Sequence, residues 1–472
     1  MFRKPFRALA GLAVVSLLAG ALALPAGAAT HSAASVQGVT SSEIDITAIV
    51  SDLDGLRAKF GNVFSAKLTT GNLLKRWQSL ADAYGPINGR KVVVKGAVWD
   101  PTDNTTFDKA CTQATQDQKA FLVVQGNGYR PSSIGCVTVD NKTPFFFGES
   151  VYPALQQASG DNLFSLGVPS DLSGLNTVSV AKEQNLIPTT AKIGILSANE
   201  PGVKAAGDAA EAEAKKVGYT VASKIEVNSL SADPTIINRE TAASVATFKA
   251  AGVDTVISAV NFTQAKGYYT EVANTNAGFK TILVDAASSM CTIYGASQIP
   301  ASMAGSNCVT TWDTRSVPAK NAVKKDNAFE AECRKQFDTT FAETSQPGAP
   351  AGDKTVNGVN YTEDFAPNEC TIMSVLLPAI KKAGKSLTWA KVAANLKKTT
   401  KAPAAYMSDG TGGFGPKKNY FATSVHSAVL VGADGTTAKD ASGLYGGCPI
   451  PVQCFVPLVG AGSSEWVPIK TK

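Results

Sequence analysis

Histidine is almost missing from this chain: there are two, His31 and His426, in 472 residues. His426 alone lies well away from the N-terminus, so any Ser-His-Asp or Cys-His constellation would have to use it. It sits within an apolar, strand-like run and reads as a packed or edge residue rather than a general base. The G-x-S-x-G elbow, the H-E-x-x-H helix and the P-loop are absent as well. Gly126-Asn127-Gly128 begins like a dinucleotide fingerprint, but no third glycine and no prompt helix follow. It reads as a tight turn, with a turn lining a ligand site as the alternative. No two cysteines are spaced C-x-x-C, which removes the usual zinc and thioredoxin patterns. No cofactor, metal or catalytic residue is therefore expected. Beyond residue 28 no apolar run approaches the length of about 18 residues that spans a bilayer.

Charge is modest too, at 17% Asp, Glu, Lys and Arg with a net +6. The basic residues are scattered apart from pairs such as Lys215-Lys216 and Lys397-Lys398, which suit solvated helix faces and not a nucleic-acid footprint. Three basic side chains, Arg3, Lys4 and Arg7, precede an apolar stretch from Ala8 to Leu24 and the small-residue signal Ala26-Gly27-Ala28. That pattern predicts an export signal over residues 1–28, cleaved near Ala28. Its removal takes +6 to +3. Leu18-Ala19-Gly20-Ala21 comes close to a lipoprotein box, but Ala21 stands where the lipidated cysteine would be. The expected location is therefore a periplasm, cell envelope or medium, without a lipid anchor at that position.

Cys111, Cys136, Cys291, Cys308, Cys333, Cys370, Cys448 and Cys454 are an even set, and in an exported chain that favours disulfides. Many pairings are open. Pairing neighbours in sequence closes the shortest loops and is the expectation.

The chain length suits two or three domains, at roughly 150 residues each. Strand and helix signals alternate in two series. In the first, valine-rich Lys91 to Trp99 is apolar on both faces, as in a parallel strand covered on both sides. Phe107, Ala110, Cys111 and Ala114 then form a helical stripe, and strands follow at Phe121 to Val124 and Pro144 to Phe147. The second series has strands at Lys192 to Leu196, Tyr219 to Val227, Val253 to Val260 and Thr281 to Val284. Helices lie between them: one after Asn199-Glu200-Pro201, with Asn199 placed to cap it, and another after Asn261, with Thr263 placed to cap it. Two α/β layers with parallel sheets follow. The last 180 or so residues are less regular, with helices at Thr371 to Ala383 and Leu387 to Lys398 and an exposed loop at Glu343 to Asn360.

Ligands of open parallel sheets lie beyond the carboxyl ends of the strands. The loops there are Gln125 to Tyr129, Gly148 to Tyr152, Ser197 to Glu200, Asn261 to Gln264 and Asp285 to Ser289. Amide, hydroxyl, carboxylate and aromatic groups dominate them, which suits a small polar solute.

These segments, in this order, resemble the type I solute-binding proteins of bacterial ABC importers, the branched-chain amino-acid group. The likeness rests on Gly38-Val39-Thr40 with Glu43 to Ile46, and on Ile87-Asn88-Gly89-Arg90-Lys91 with its strand and Asp100-Pro101. It continues through Phe164 with Pro169-Ser170-Asp171, "FKAAGVDTVISAV", "GGFGPKKNYF" and "VLVGADGTT". It implies two Rossmann-like lobes with parallel sheets flanked by helices, joined by a three-crossover hinge. Lobe one would take 29–170 and 310–415, and lobe two 171–309 and 416–472. It also implies a monomer that passes its solute to an ABC permease in the membrane. Asn127, Tyr129, Glu149 and Ser150 would hold the ligand from lobe one, and Asn199, Asn261, Phe262 and Asp285 from lobe two. Tyr129 or Phe262 would give a stacking face, while Asp285 or Glu149 would meet a cationic or hydroxyl group. Backbone N–H groups near Glu149 and Gly202 would suit an anionic one. Where relatives carry a Ser/Thr-rich carboxylate-binding loop, this chain reads "QGNGYRPSSIGC", with Arg130 entering and Ser132 and Ser133 displaced. An α-amino acid is thus one option beside amides and small organic acids. Two rival readings use the same body: a sensing partner of a chemoreceptor, and a secreted hydrolase working with Glu149 and Asp285.

Overall fold

The computed structural model describes residues 36–471 except 61–68, 104, 127, 129–132, 229–232, 286–289, 292–294, 297, 315–325, 342–353, 357–358, 362–367, 433–452 and 459–464. The export signal expected over residues 1–28 lies outside the described residues.

The first half of the chain winds one parallel sheet and then a second. Strands β1 (Glu43–Ser51), β2 (Lys91–Trp99), β3 (Leu122–Gln125), β4 (Phe145–Phe147) and β5 (Leu163–Ser165) form the first, in the order β2-β1-β3-β4-β5. β3 and β4 are buried along their whole length, which is why they are Leu, Val and Phe up to the closing Gln125 of β3: helices cover both faces of a parallel sheet. In this part of the chain the helices are α1 (Leu53–Phe60), α2 (Thr70–Tyr84), α3 (Thr105–Thr112) and α4 (Pro153–Ser159), of which α2, α3 and α4 pack on the sheet. α2 starts where the Thr69 side chain accepts from the Asn72 N–H.

After α5 (Ser170–Glu183), strands β6 (Lys192–Ala198), β7 (Thr220–Val227), β8 (Thr255–Ser258), β9 (Lys280–Val284) and β10 (Asn307–Thr310) run parallel in a second sheet. α6 (Pro201–Lys216), α7 (Pro234–Ala250) and α8 (Phe262–Asn274) link them. The Asp233 side chain caps α7, with Pro234 supplying the fixed φ of a first helical residue.

The chain then returns to the first sheet. It passes through α9 (Ala328–Phe341), a ribbon of β11 (Lys354–Val356) and β12 (Val359–Tyr361), α10 (Asn368–Ala383), α11 (Trp389–Lys397), and a ribbon of β13 (Ala402–Pro403) and β14 (Thr411–Gly412). Ile372, Leu376 and Ile380 of α10 and Leu396 of α11 share one core with Ile44, Val124 and Phe146. Phe164 is fully buried there, edge-on to Phe414 at 5.3 Å and to Trp389 at 6.0 Å. Finally β15 (Ser424–Val431) crosses back and pairs antiparallel with β10, β16 (Cys454–Pro457) adds to β15, and β17 (Val467–Pro468) pairs with its start. Each lobe is thus built from two separate pieces of chain.

The crossings touch one another. Ser165 N donates to Asn419 O at 3.0 Å, Phe421 N to Ser165 O at 2.9 Å and Ala422 N to Leu166 O at 2.9 Å, which ties the first crossing to the third. Ser408 N donates to Thr311 O at 2.9 Å and Asp313 N to Tyr406 O at 2.7 Å, which holds the second. Ile469 N donates to Thr423 O at 3.0 Å, so the C-terminal tail runs alongside.

Three of the expected disulfides are formed: Cys111–Cys136, Cys291–Cys308 and Cys333–Cys370. Cys454 is disulfide-bonded as well, and Cys448 lies outside the described residues. The stretch expected as a loop from 343 to 360 contains β11 and most of β12, because Lys354–Val356 and Val359–Tyr361 pair across a two-residue gap. Helix α9 had no expectation in the sequence.

Candidate functional site

The carboxyl ends of β3 and β4 in one sheet, and of β6, β8 and β9 in the other, supply the loops between the lobes. In lobe one the two loops are pressed together. A Cβ on Gly148 would stand 1.8 Å from the Gly126 carbonyl oxygen, so only glycine fits there. The buried Asn368 side chain, at the start of α10, donates from Nδ2 to Gly126 O at 2.8 Å and reaches Gly148 O at 3.5 Å. Gln125 Nε2 donates to Gly128 O at 2.9 Å, which folds the turn back on its own strand.

Glu149 follows directly. The Gly128 N–H donates to its Oε1 at 3.0 Å. Burial away from water pushes its carboxyl up to about 7, against the Gly128 hydrogen bond, and the nearby negative charge of Asp285 adds to the rise. Asp285 ends β9 in the other lobe, buried, with its Oδ2 accepting from Thr310 Oγ1 at 2.8 Å. One carboxyl from each lobe is therefore near enough to the other for the Asp285 charge to act on Glu149. Another interaction links the two lobes: burial first, then the Glu200 charge, raises the Tyr152 phenol above its ordinary value.

The remaining expected ligand residues divide. Ser150 is buried, its hydroxyl beside Gly167 on the first crossing. Asn199 is exposed and does not cap α6. Its neighbour Glu200 does, accepting from Gly202 N at 2.9 Å and Val203 N at 3.0 Å. Those N–H groups, expected to suit an anion, thus already face a carboxylate. The residue directly before a first-turn proline is the cap position, so the sequence placed this role one residue too early. Asn261, not Thr263, caps α8, accepting from Gln264 N at 3.2 Å. Phe262 opens α8 and packs against the lobe-two core. Asn127 and Tyr129, with Arg130 and Ser132, lie outside the described residues. Gln125, Tyr152 and Glu200 lie in the expected ligand loops but were not among the ligand residues expected from them, and Asn368 had no place in the sequence expectation.

Asp285, Cys291 and Cys308 bring a carboxyl and two sulfurs within 4.8 Å of one another. The two sulfurs are bonded to each other, which takes away the thiolates that a metal would need.

No family model matches the chain. No curated protein matches it in sequence either. Solved structures do match in three dimensions. A solute-binding protein of an ABC transporter from Rhodopseudomonas palustris BisB5, in complex with 3,4-dihydroxybenzoic acid, has a TM-score of 0.61 at 12% identity, over 91% of this chain and 98% of that one. An ABC transporter substrate-binding protein from Desulfitobacterium hafniense, in complex with Leu, gives 0.54 at 12% identity, over 82% and 97%. A fatty-acid ABC transporter substrate-binding protein from Thermomonospora curvata gives 0.55 at 12% identity, over 83% and 90%. The shared feature is architecture: a two-lobed α/β body with parallel sheets flanked by helices, the fold of the type I periplasmic solute-binding proteins.

Proposed function

We propose that this chain is an exported solute receptor that captures a small polar ligand between its lobes and delivers it to an ABC-type permease. The two lobes would divide near residue 170, near residue 310 and between 415 and 424. Closure about the three crossings would bury the ligand and stabilise the closed state through contacts made only there. The observation that carries this reading is the pairing of Glu149 with Asp285 from opposite lobes at the strand ends. Two carboxyls of which one titrates near 7 suit a solute offering a cationic or hydroxyl group, such as an amino acid, an amide or a small hydroxylated acid. Asn127 and Tyr129 remain assigned to the same cleft. The chain works as a monomer, without metal or cofactor.

Native mass spectrometry of protein purified without denaturation tests this. The expected result is the protein mass plus one small molecule, lost on unfolding and regained on refolding with the recovered compound. Asp285→Ala should abolish that retention while leaving the thermal transition of the empty protein cooperative. Retention unchanged in Asp285→Ala would overturn the site. Turnover of the retained compound by the purified protein would replace the receptor with the hydrolase reading.

A further inference from the structure

The described histidine, His426, is fully buried on β15 and takes no part in the cleft. Its Nε2 lies 2.7 Å from the backbone carbonyl oxygen of Trp312. A carbonyl only accepts, so Nε2 must carry hydrogen. That settles the other nitrogen: in a neutral ring Nδ1 is a bare acceptor. Facing it at 3.6 Å is Oε1 of Glu465, whose side chain is 13% exposed, from the C-terminal tail. Trp466 of the same tail stacks on the imidazole at 4.2 Å between centroids and 28° between planes. Two acceptors held this close away from bulk water repel unless a proton lies between them.

The same groups connect to the cleft. Thr310 is the register partner of His426 across the antiparallel β10/β15 pair. Trp312 N donates to Thr310 Oγ1 at 3.0 Å, and that hydroxyl donates to Asp285 Oδ2 at 2.8 Å. The Trp312 residue is thus held at its carbonyl by His426, while its N–H orients the hydroxyl that orients Asp285. The titratable groups brought toward His426 by the elements around it are Glu465 from the tail, Asp285 through Thr310 from β9, and buried Asp313 one residue beyond Trp312.

We infer that His426 and Glu465 share one proton, and that this pair is a pH-responsive latch at the hinge that positions Asp285 without touching the ligand. With the proton in place, imidazolium and carboxylate hold the tail against β15 and fix the Trp312 residue. When the proton leaves to solvent, the Nδ1 lone pair and the Glu465 carboxylate repel, and residues 465–470 separate from β15. The positioning of Asp285 rests on the solute-receptor reading; the latch does not.

Glu465→Gln separates the possibilities, since an amide N–H can donate to Nδ1 and satisfy a neutral ring. With only two histidines in the chain, the ring nitrogens of His426 can be followed by NMR, using His31→Gln for assignment. The wild type should show both ring nitrogens protonated at about pH 7, where free imidazole is mostly neutral. Loss of the Nδ1 proton should coincide with faster amide exchange over 465–471, by about tenfold, the weight of one charge-assisted hydrogen bond. Glu465→Gln should hold a neutral ring and show no such step in exchange. A wild-type ring already neutral at about pH 7, or identical exchange profiles in the two proteins from about pH 5 to about pH 9, overturns the latch. In the solute arm, a pH profile of affinity that flattens in Glu465→Gln supports the positioning role, and an unchanged profile overturns it. Absence of any bound solute would sink the receptor reading alone, leaving NMR and exchange to decide the latch.

Discussion

Glu149→Gln in the empty protein gives the sharpest reading of the cleft. The wild-type carboxyl is held at about 7 instead of its ordinary 4.5, chiefly by burial and secondarily by Asp285. Below about pH 4.5 the folded and unfolded chains both carry the proton, and the folded state keeps the full benefit. Between about 4.5 and about 7 the unfolded chain has released it while the folded one retains it, so stability falls as pH rises. The loss amounts to roughly 3 kcal/mol and is complete above about pH 7. The glutamine side chain cannot ionise, yet its amide oxygen can still accept from the Gly128 N–H. Urea titrations at about pH 4.5 and about pH 8 should therefore show Glu149→Gln near wild type at the lower value. At the higher it should gain up to that amount, less the weakening of the Gly128 bond. Asp285→Asn should remove a smaller share, because the neighbouring charge is the lesser cause. Parallel wild-type and Glu149→Gln stabilities across this range would refute the placement of Glu149 in a dry, carboxylate-facing site.

Two further substitutions test the frame. A Cβ on Gly174 of α5 would stand 2.0 Å from the Ala206 carbonyl oxygen of α6, and backbone cannot swing aside. Gly174→Ala should cost about 1–3 kcal/mol in chemical denaturation, and an unchanged midpoint would mean that α5 and α6 are farther apart than described. Replacing Cys333 and Cys370 together by serine frees a 37-residue separation. By loop entropy this lowers stability by up to about 4 kcal/mol, seen as a lower melting temperature in oxidising buffer; equal melting temperatures would show that the bond contributes nothing there.

The parts of the fold that the sequence announced are those where one physical rule acts alone. β2 is valine-rich, β3 opens Leu-Val-Val and β4 is three phenylalanines, patterns that admit no helical stripe, and β3 and β4 are buried along their whole length. α6 begins at Pro201, whose fixed φ suits the first helical position and whose missing N–H costs nothing there. α5 was silent for the opposite reason. Residues from Ser170 to Ala181 are buried almost all round, among them Asp171, Asn176 and Thr177, so no polar face marks the helix. Asn176 is satisfied within the fold: it donates to Leu172 O and Lys470 O, and accepts from Lys470 N. Among the candidate residues, Glu149 and Asp285 could be singled out in the sequence because the loops beyond strand ends of a parallel sheet are where ligands are expected. Asn199 and Asn261 were legible only as polar residues at helix starts. There capping and binding draw on the same chemistry, and the structure gives the caps to Glu200 and Asn261.

The hinge adds a constraint of its own. Tyr406, Ser408 and Asp409 hold φ of 50°, 45° and 36°, values that side chains other than glycine rarely adopt. Such conformations cost of order 1–3 kcal/mol each. They persist because neighbours on several sides fix them. Glu330 Oε1 accepts from Tyr406 N at 3.0 Å, while Glu330 and Asn327 cap each other at the start of α9. Ser408 N donates to Thr311 O, Ser408 Oγ to Ser424 O at 3.2 Å, and Ser408 Oγ accepts from Thr423 N at 3.1 Å. One serine thus bonds to both the second and the third crossing. Bending at either must break or rotate these bonds, and doing so releases the backbone strain that they hold. The bonds that hold this turn therefore also join the second crossing to the third. The second crossing, between Thr311 and Asp313, is gripped from both directions, and Asp285 is attached to it through Thr310.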